Sequence, residues 1–140
     1  RKEVEKGEGA QEMADLPVVN YAELEKIKAI AGSANDTSVI MLNLNRYSAE
    51  AAFPNGDLYQ EYMQVLNQLL AEVGGKVLWQ SPSHANVIGE QIIHEALGIW
   101  YPSHAAFMNL MTAPSSERNM SLRARAVAQA DLHRLADYTA

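Results

Sequence analysis

The sequence predicts an α+β fold built on a four-stranded antiparallel sheet. Short runs rich in β-forming residues alternate with segments of helical periodicity, and Gly, Pro and Asn cluster at the joins between them. The order of these segments is strand, helix, strand, strand, helix, strand. Since 48% of the 140 residues are apolar and 20% are charged, one core within one domain is expected.

A tail and a short helix are predicted ahead of the first strand. Residues 1 to about 16 are charged and lack periodicity, which favours a tail. Asn20 is a suitable N-cap with Glu23 three residues later, and Gly32 is a suitable stop. We therefore divide the chain into an N-terminal tail and helix, 1–37, and a sheet domain, 38–140.

The first half of the sheet domain begins with SVIMLNLNRYS, residues 38–48, which is rich in β-formers and predicts the first strand. A helix is predicted over 57–73, because Asp57 with Gln60 resembles a capping box and Gly74 supplies a left-handed stop. KVLWQSP, residues 76–82, then predicts the second strand.

The second half begins with HEALGIWYP, residues 94–102, as the third strand, which ends at a proline because proline has no N–H for the sheet. Ser103 as N-cap predicts a helix to about residue 111, and Pro114 opens another to about residue 127. AQADLHRLADY, residues 128–138, predicts the last strand. This is the βαββαβ order of a ferredoxin-like sheet.

Side-chain alternation divides the first strand into two rows. Ile40, Leu42 and Leu44 form the row that we expect to pack against the helices. Met41, Asn43, Asn45 and Tyr47 form the other row, which we expect on a second, uncovered face together with Trp100. Because this face is too apolar for water, the same face of a second copy is the expected cover, giving a symmetric homodimer around a half-polar cavity.

Composition excludes several classes of partner and site. The chain has no cysteine, so disulfides and thiolate sites are absent, and its net charge of -6 argues against a nucleic-acid partner. No apolar run approaches the roughly 20 residues that cross a bilayer. We therefore expect no membrane partner and a cytoplasmic location.

Four strings, in this order, resemble a known family: MLNLNRY, YQEYMQVL, GGKVLWQ and WYPSHAAFMNLMTAP. They are similar to the domain-of-unknown-function family 1330 of the dimeric α/β-barrel superfamily, whose pattern runs roughly MLNLLRF, a Y-x-x-Y helix, GGRVLW and VRYPSxxAF. The resemblance spans about residues 38–138. Two departures are Asn45, where the family has an apolar residue, and Ile99-Trp100, where it often has Val-Arg.

The resemblance implies a ferredoxin-like fold and dimerisation. It implies no particular activity, because the superfamily includes cofactor-free monooxygenases, lactone isomerases, polyketide cyclases and haem enzymes. The function therefore has to be argued from the site residues.

Histidine supplies the candidate acid or base. His94 starts the third strand on the expected cavity face and would act as a general base near neutral pH; the alternative is a hydrogen-bonded or exposed histidine at a strand end. The four histidines, at 84, 94, 104 and 133, lack the i, i+3 or i, i+4 spacing of a metal site, so no metal is expected.

The candidate binding residues are Asn43, Asn45, Arg46, Tyr47 and Trp100. The two amides would act as oxyanion donors or would satisfy backbone and interface groups. Arg46 would pair with a carboxylate such as Glu95, or would clamp a substrate carboxylate. Tyr47 and Trp100 would pack in the core or face a flat aromatic ligand.

The basic cluster of Arg118, Arg123 and Arg125 is interpreted as a solvated helix face.

The leading hypothesis is a small cofactor-free homodimeric enzyme that binds a modest aromatic or cyclic carbonyl compound. Asn43 and Asn45 would polarise an oxygen while His94 moves a proton, in isomerase, cyclase or lyase chemistry. The alternative is a non-catalytic small-ligand-binding or interaction module.

Overall fold

The computed structural model describes residues 18–139. The helices among them are α1 (Tyr21–Ala31), α2 (Asp57–Val73), α3 (His104–Met108) and α4 (Ser116–Ala126). The strands are β1 (Val39–Tyr47), β2 (Lys76–Pro82), β3 (Glu95–Tyr101) and β4 (Val127–Ala136). The tail predicted for residues 1 to about 16 lies outside the described residues.

The sheet has the order β2-β3-β1-β4, and every neighbouring pair is antiparallel. This is the βαββαβ topology of a ferredoxin-like sheet, with α1 added at the N-terminal side. The predicted fold class is confirmed. No helix within residues 18–139 is long and apolar enough to span a membrane.

The helix ends follow local sequence signals. The Oδ1 of Asn20 accepts from the N–H of Glu23 at 3.1 Å and starts α1, as predicted. Gly74, with φ of 83°, ends α2 in the left-handed conformation, as predicted. The N-cap of α2 is Gly56 rather than Asp57. A side chain at this position is excluded because a Cβ would lie 2.3 Å from the carbonyl oxygen of Ala51.

The helix predicted over about 103–111 is divided in two. Ser103 caps α3, with its Oγ accepting from the N–H of Ala106 at 3.0 Å, and a 3-10 turn over Asn109–Met111 follows. Asp36 adds a second cap, since its carboxylate accepts from the N–H groups of His104 and Ala105 at 2.7 and 3.1 Å. The loop before β1 is thereby attached to the start of α3.

One face of the sheet packs against the helices, and in β1 it is the face opposite to the prediction. Met41 pairs with Ile99 and Asn43 pairs with Leu97, so these side chains lie on the same face. Each described helix adds buried residues against this face, among them Ile27, Tyr62, Ala106 and Leu122. Met41, Asn43 and Asn45 therefore face the helices.

The other face of the sheet carries the row Ile40, Leu42 and Leu44. Trp100 lies opposite Ile40 on this face, as does Leu135 from β4. The indole of Trp79 lies over Gly98, where an added Cβ would come within 2.4 Å of the ring. Trp79 and Leu135 are 40% and 41% exposed. We call this surface the open face.

Candidate functional site

A cavity of about 270 Å³ lies between the helix-packed face of the sheet and the helices. Most of its wall is apolar and comes from β3, α2 and the segment after α3. Polar lining residues come from β1 and from two helices, α2 and α4: Asn43, Asn45, Tyr62, Ser116, Asn119 and Arg123. An apolar cavity with a few convergent polar groups is the usual form of a small-molecule site.

Asn43 and Asn45 form the polar part of the sheet wall. They are two residues apart on β1, so both side chains point to the same face. The amide of Asn43 donates to the carbonyl oxygen of Met41 at 3.0 Å. The amide nitrogen of Asn45 donates to the hydroxyl of Tyr47 at 3.2 Å, while its Oδ1 is buried without a hydrogen-bond partner. The structure thus places both asparagines in the wall of this cavity, which lies under the helices and not at the dimer interface where the sequence predicted it.

Ser116, Asn119 and Arg123 form the polar part of the helix wall. Their spacing of three and then four residues places them on one side of α4. Asn119 is only 9% exposed, and its Oδ1 also lacks a hydrogen-bond partner. Two buried amide oxygens, one from the sheet and one from a helix, therefore remain unsatisfied by protein groups in this cavity.

Arg123 on α4 lies close to Tyr62 on α2, and both line the cavity. Burial raises the pKa of this tyrosine, although the charge of Arg123 and its hydrogen bond oppose the shift. Tyr62 consequently stays protonated at neutral pH and brings no negative charge to the guanidinium.

A buried carboxylate cluster adjoins the amide wall. Glu95 is 3% exposed and lies opposite Asn45 in the β1–β3 pair. Its carboxylate accepts from the hydroxyl of Tyr47 at 2.6 Å, from the hydroxyl of Tyr59 at 2.8 Å and from Nε2 of Gln80 at 2.8 Å. Burial, and then the hydrogen bond to Glu95, raise the pKa of both tyrosines.

His94, the predicted base, lies beside this cluster and does not line the cavity. Its Nδ1 accepts from the backbone N–H of Tyr47 at 2.8 Å, and its ring stacks on Phe53 at 5.8 Å between centroids. The lone pair on Nδ1 is thus occupied, and the ring hydrogen lies on Nε2.

The other predicted binding residues are divided between the two faces. Tyr47 is buried within the Glu95 cluster. Arg46 lies on the open face, where its Nη2 donates to Oε1 of Gln129 at 3.3 Å, so it is on the face opposite to Glu95. Trp100 is also on the open face and donates from Nε1 to Asp137 at 2.7 Å. Neither lines the cavity.

Sequence reasoning missed the α4 residues of the site. Arg118 and Arg125 form surface ion pairs with Glu61 and Glu50, as a solvated helix face should. Arg123 differs, because it lies on the side of α4 that faces the sheet. The available signal was the spacing of Ser116, Asn119 and Arg123 along the inward side of a helix, where apolar residues are the rule.

Comparisons with known proteins support the fold. No protein-family model matches the chain, and no curated protein matches it. The chain is similar to the RPA0582 protein of unknown function from Rhodopseudomonas palustris, with 27% identity and a TM-score of 0.68 over 85% of this chain and 93% of that chain. A structure of the methylated protein gives the same identity and TM-score, over 85% of this chain and 91% of that chain. The shared fold comes from a protein whose function is itself unknown.

Proposed function

We propose that the protein binds a small aromatic or cyclic compound in the cavity between the sheet and the helices. The observation that supports the proposal is the pair of buried, unpartnered amide oxygens on Asn45 and Asn119 in an otherwise apolar cavity. A buried acceptor without a partner costs free energy, and a bound ligand that donates a hydrogen bond to it would remove that cost. A volume of about 270 Å³ suits a ligand of modest size.

The same proposal includes a family and an oligomeric state. The four sequence strings and the ferredoxin-like topology support membership of the domain-of-unknown-function family 1330 and its dimeric α/β-barrel superfamily. The open face supports a homodimer, because Trp79, Leu135 and their apolar neighbours form an exposed patch of the kind that a second copy covers.

Acid/base catalysis without a cofactor is the second candidate function. It is favoured by the buried carboxylate of Glu95, which lies next to the cavity amide of Asn45 and accepts hydrogen bonds from two tyrosine hydroxyls. In this candidate Glu95 moves a proton of a bound carbonyl compound that extends past Asn45, whereas the non-catalytic binding module uses the cavity alone.

The binding proposal is tested by a crystal soak and by NMR titration with small phenols, lactones and aromatic acids. Leu66 lines the cavity, so Leu66→Phe should fill part of it and lower affinity. Leu24→Phe is the matched control, because Leu24 is similarly half-buried but lies on α1 outside the cavity lining. Binding that is unchanged by Leu66→Phe, or lost equally in both variants, would contradict the proposed site.

Catalysis is tested separately by hydrogen exchange in D₂O. A base that removes a carbon-bound proton next to a carbonyl returns deuterium from solvent, which NMR detects on the bound compound. The catalytic candidate predicts exchange that is lost in Glu95→Gln while binding persists. His94→Gln should retain the exchange, because Nδ1 of His94 accepts from the N–H of Tyr47 and the ring does not line the cavity. The binding module predicts ligand binding with no exchange above the uncatalysed rate.

A further inference from the structure

We propose that the cavity selects small ring acids that also carry a hydroxyl or N–H group. The carboxylate would bind the guanidinium of Arg123, and the donor groups would bind Oδ1 of Asn45 and Oδ1 of Asn119. This inference rests on the proposed function, because it names the chemical class of ligand for the same cavity.

The two amide oxygens require donors from the ligand. The orientation of Asn45 is fixed, since its amide nitrogen donates to the hydroxyl of Tyr47 and that hydroxyl donates to Glu95. A flipped amide would direct Oδ1 at an oxygen whose hydrogen is already committed to the carboxylate. The Oδ1 of Asn45 therefore faces away from the cluster as an acceptor. A ligand that offers only carbonyl or ether oxygens would leave this oxygen unsatisfied.

The helix wall supplies the charge. Arg118 and Arg125 are neutralised by Glu61 and Glu50, but within residues 18–139 no carboxylate lies within ion-pair distance of Arg123. Tyr62 lies close to Arg123, and its raised pKa keeps its hydroxyl protonated and neutral. A planar guanidinium that is half-buried beside a neutral phenol is suited to a carboxylate, which it can bind through two parallel hydrogen bonds.

The position of Glu95 sets the direction of the ligand. Its buried carboxylate lies behind Asn45 at the sheet wall, so an acid group placed there would meet like charge. The acid end therefore lies toward Arg123, and the ring occupies the apolar middle near Leu97, Ile99 and Phe107.

The test compares three probes of one shape in the wild-type protein by NMR titration. They are a benzoate with hydroxyls at both meta positions (dihydroxybenzoate), the matching dimethoxybenzoate, which lacks the donors, and the matching dihydroxybenzamide, which lacks the charge. The dihydroxybenzoate should bind at least about tenfold more tightly than either of the others, because the dimethoxy compound leaves both amide oxygens without a donor and the benzamide leaves Arg123 without a carboxylate.

Variants at Arg123 test whether this side chain causes the preference for the acid over the amide. Arg123→Met should remove the preference for the acid over the amide. Arg123→Lys should retain part of this preference, because lysine keeps the positive charge but cannot form two parallel hydrogen bonds to a carboxylate. Arg118→Met is the control on the same helix and should change neither affinity. The wild-type comparison of the three probes stands on its own if an Arg123 variant does not fold.

The outcomes separate the two levels of the proposal. Equal affinity for all three probes would overturn the ligand class and leave the cavity as a general binding site. A charge preference that survives Arg123→Met would also overturn it. Failure of every probe, together with failure of the wider set of phenols, lactones and acids, would overturn the proposed function itself.

Discussion

The hydroxyl of Tyr47 donates a 2.6 Å hydrogen bond to Oε1 of Glu95 in the interior of the protein. The same hydroxyl accepts from the amide of Asn45, so the orientation of a cavity-wall side chain depends on a carboxylate that does not line the cavity. The donors from Tyr59 and Gln80 complete the shell around this carboxylate. Both the stability of the core and the geometry of the candidate site therefore depend on the carboxylate of Glu95.

Tyr47→Phe should lower the free energy of unfolding by about 2 kcal/mol, the typical effect of losing a hydrogen bond to a charged group. It also removes the acceptor of the Asn45 amide, so ligand affinity should fall. Urea denaturation at neutral pH measures the first effect. Tyr21→Phe, on an exposed tyrosine of α1, is the control and should change little. Equal stability of the two variants would show that the Glu95 shell tolerates the loss.

Alkaline pH should destabilise the protein through its buried tyrosines. Burial raises the pKa of Tyr47, Tyr59, Tyr62 and Tyr101 above the ordinary value of 10.0. A raised folded-state pKa means that the stability is fully present below pH 10 and is lost as pH rises beyond it, because only the unfolded chain releases these protons. Urea midpoints measured from pH 8 upward should fall above about pH 10. A flat midpoint through that range would contradict the burial of these hydroxyls.

Asp36→Asn should lower the free energy of unfolding by about 1 kcal/mol at pH 7, because the amide keeps one acceptor oxygen but loses the second acceptor and the negative charge at the start of α3. Burial alone would raise the pKa of Asp36, but the N–H groups of His104 and Ala105 and the His104 ring outweigh it and lower the pKa below 3.8. A depressed pKa means stability that is present above pH 3.8 and lost as pH falls. The difference from wild type should therefore shrink in acid. Asp131→Asn, which removes an exposed charge but keeps an acceptor oxygen for the amide of Gln91, is the control.

Leu135→Arg should convert the proposed homodimer to a folded monomer. Leu135 is 41% exposed on the open face, so the monomer can place an arginine there, whereas a symmetric interface would bury two like charges. Light scattering gives the mass, and circular dichroism checks the fold. Tyr21→Arg is the control at an exposed apolar side chain on α1. A monomeric wild-type protein, or a variant that remains dimeric, would contradict pairing through the open face.

The order of elements could be predicted because each depends on signals within a few residues. Asn20, Gly74 and Ser103 act as the caps that their types suggest, and strand ends follow Gly and Pro. Local signals could not predict which face of β1 packs against the helices. Ile40, Leu42 and Leu44 form the more apolar row, so alternation favours them for the core, but pairing of Met41 with Ile99 turns the other row toward the helices. Strand pairing is a long-range property that periodicity does not contain.

The candidate site was predictable only on its sheet side. Asn43 and Asn45 interrupt an apolar strand, which marks them in the sequence. Asn119 and Arg123 sit in a helix rich in polar residues, where their inward direction depends on how α4 packs over the sheet. Glu95 is adjacent to His94 in the sequence, but its burial depends on Tyr47 and Tyr59 from other elements. Chemistry that is assembled from several elements is not visible in any one of them.

Asn119→Leu should separate stability from binding. The change removes a buried oxygen that has no protein partner and adds apolar contact in the cavity, so the free energy of unfolding should rise by about 1 kcal/mol. The same change removes an acceptor for one of the two ligand hydroxyls, and the affinity for the dihydroxybenzoate should fall at least about tenfold. Asn67→Leu is the control, on the exposed side of α2 outside the cavity lining. Loss of stability in Asn119→Leu with unchanged affinity would show that the amide serves the fold rather than a ligand.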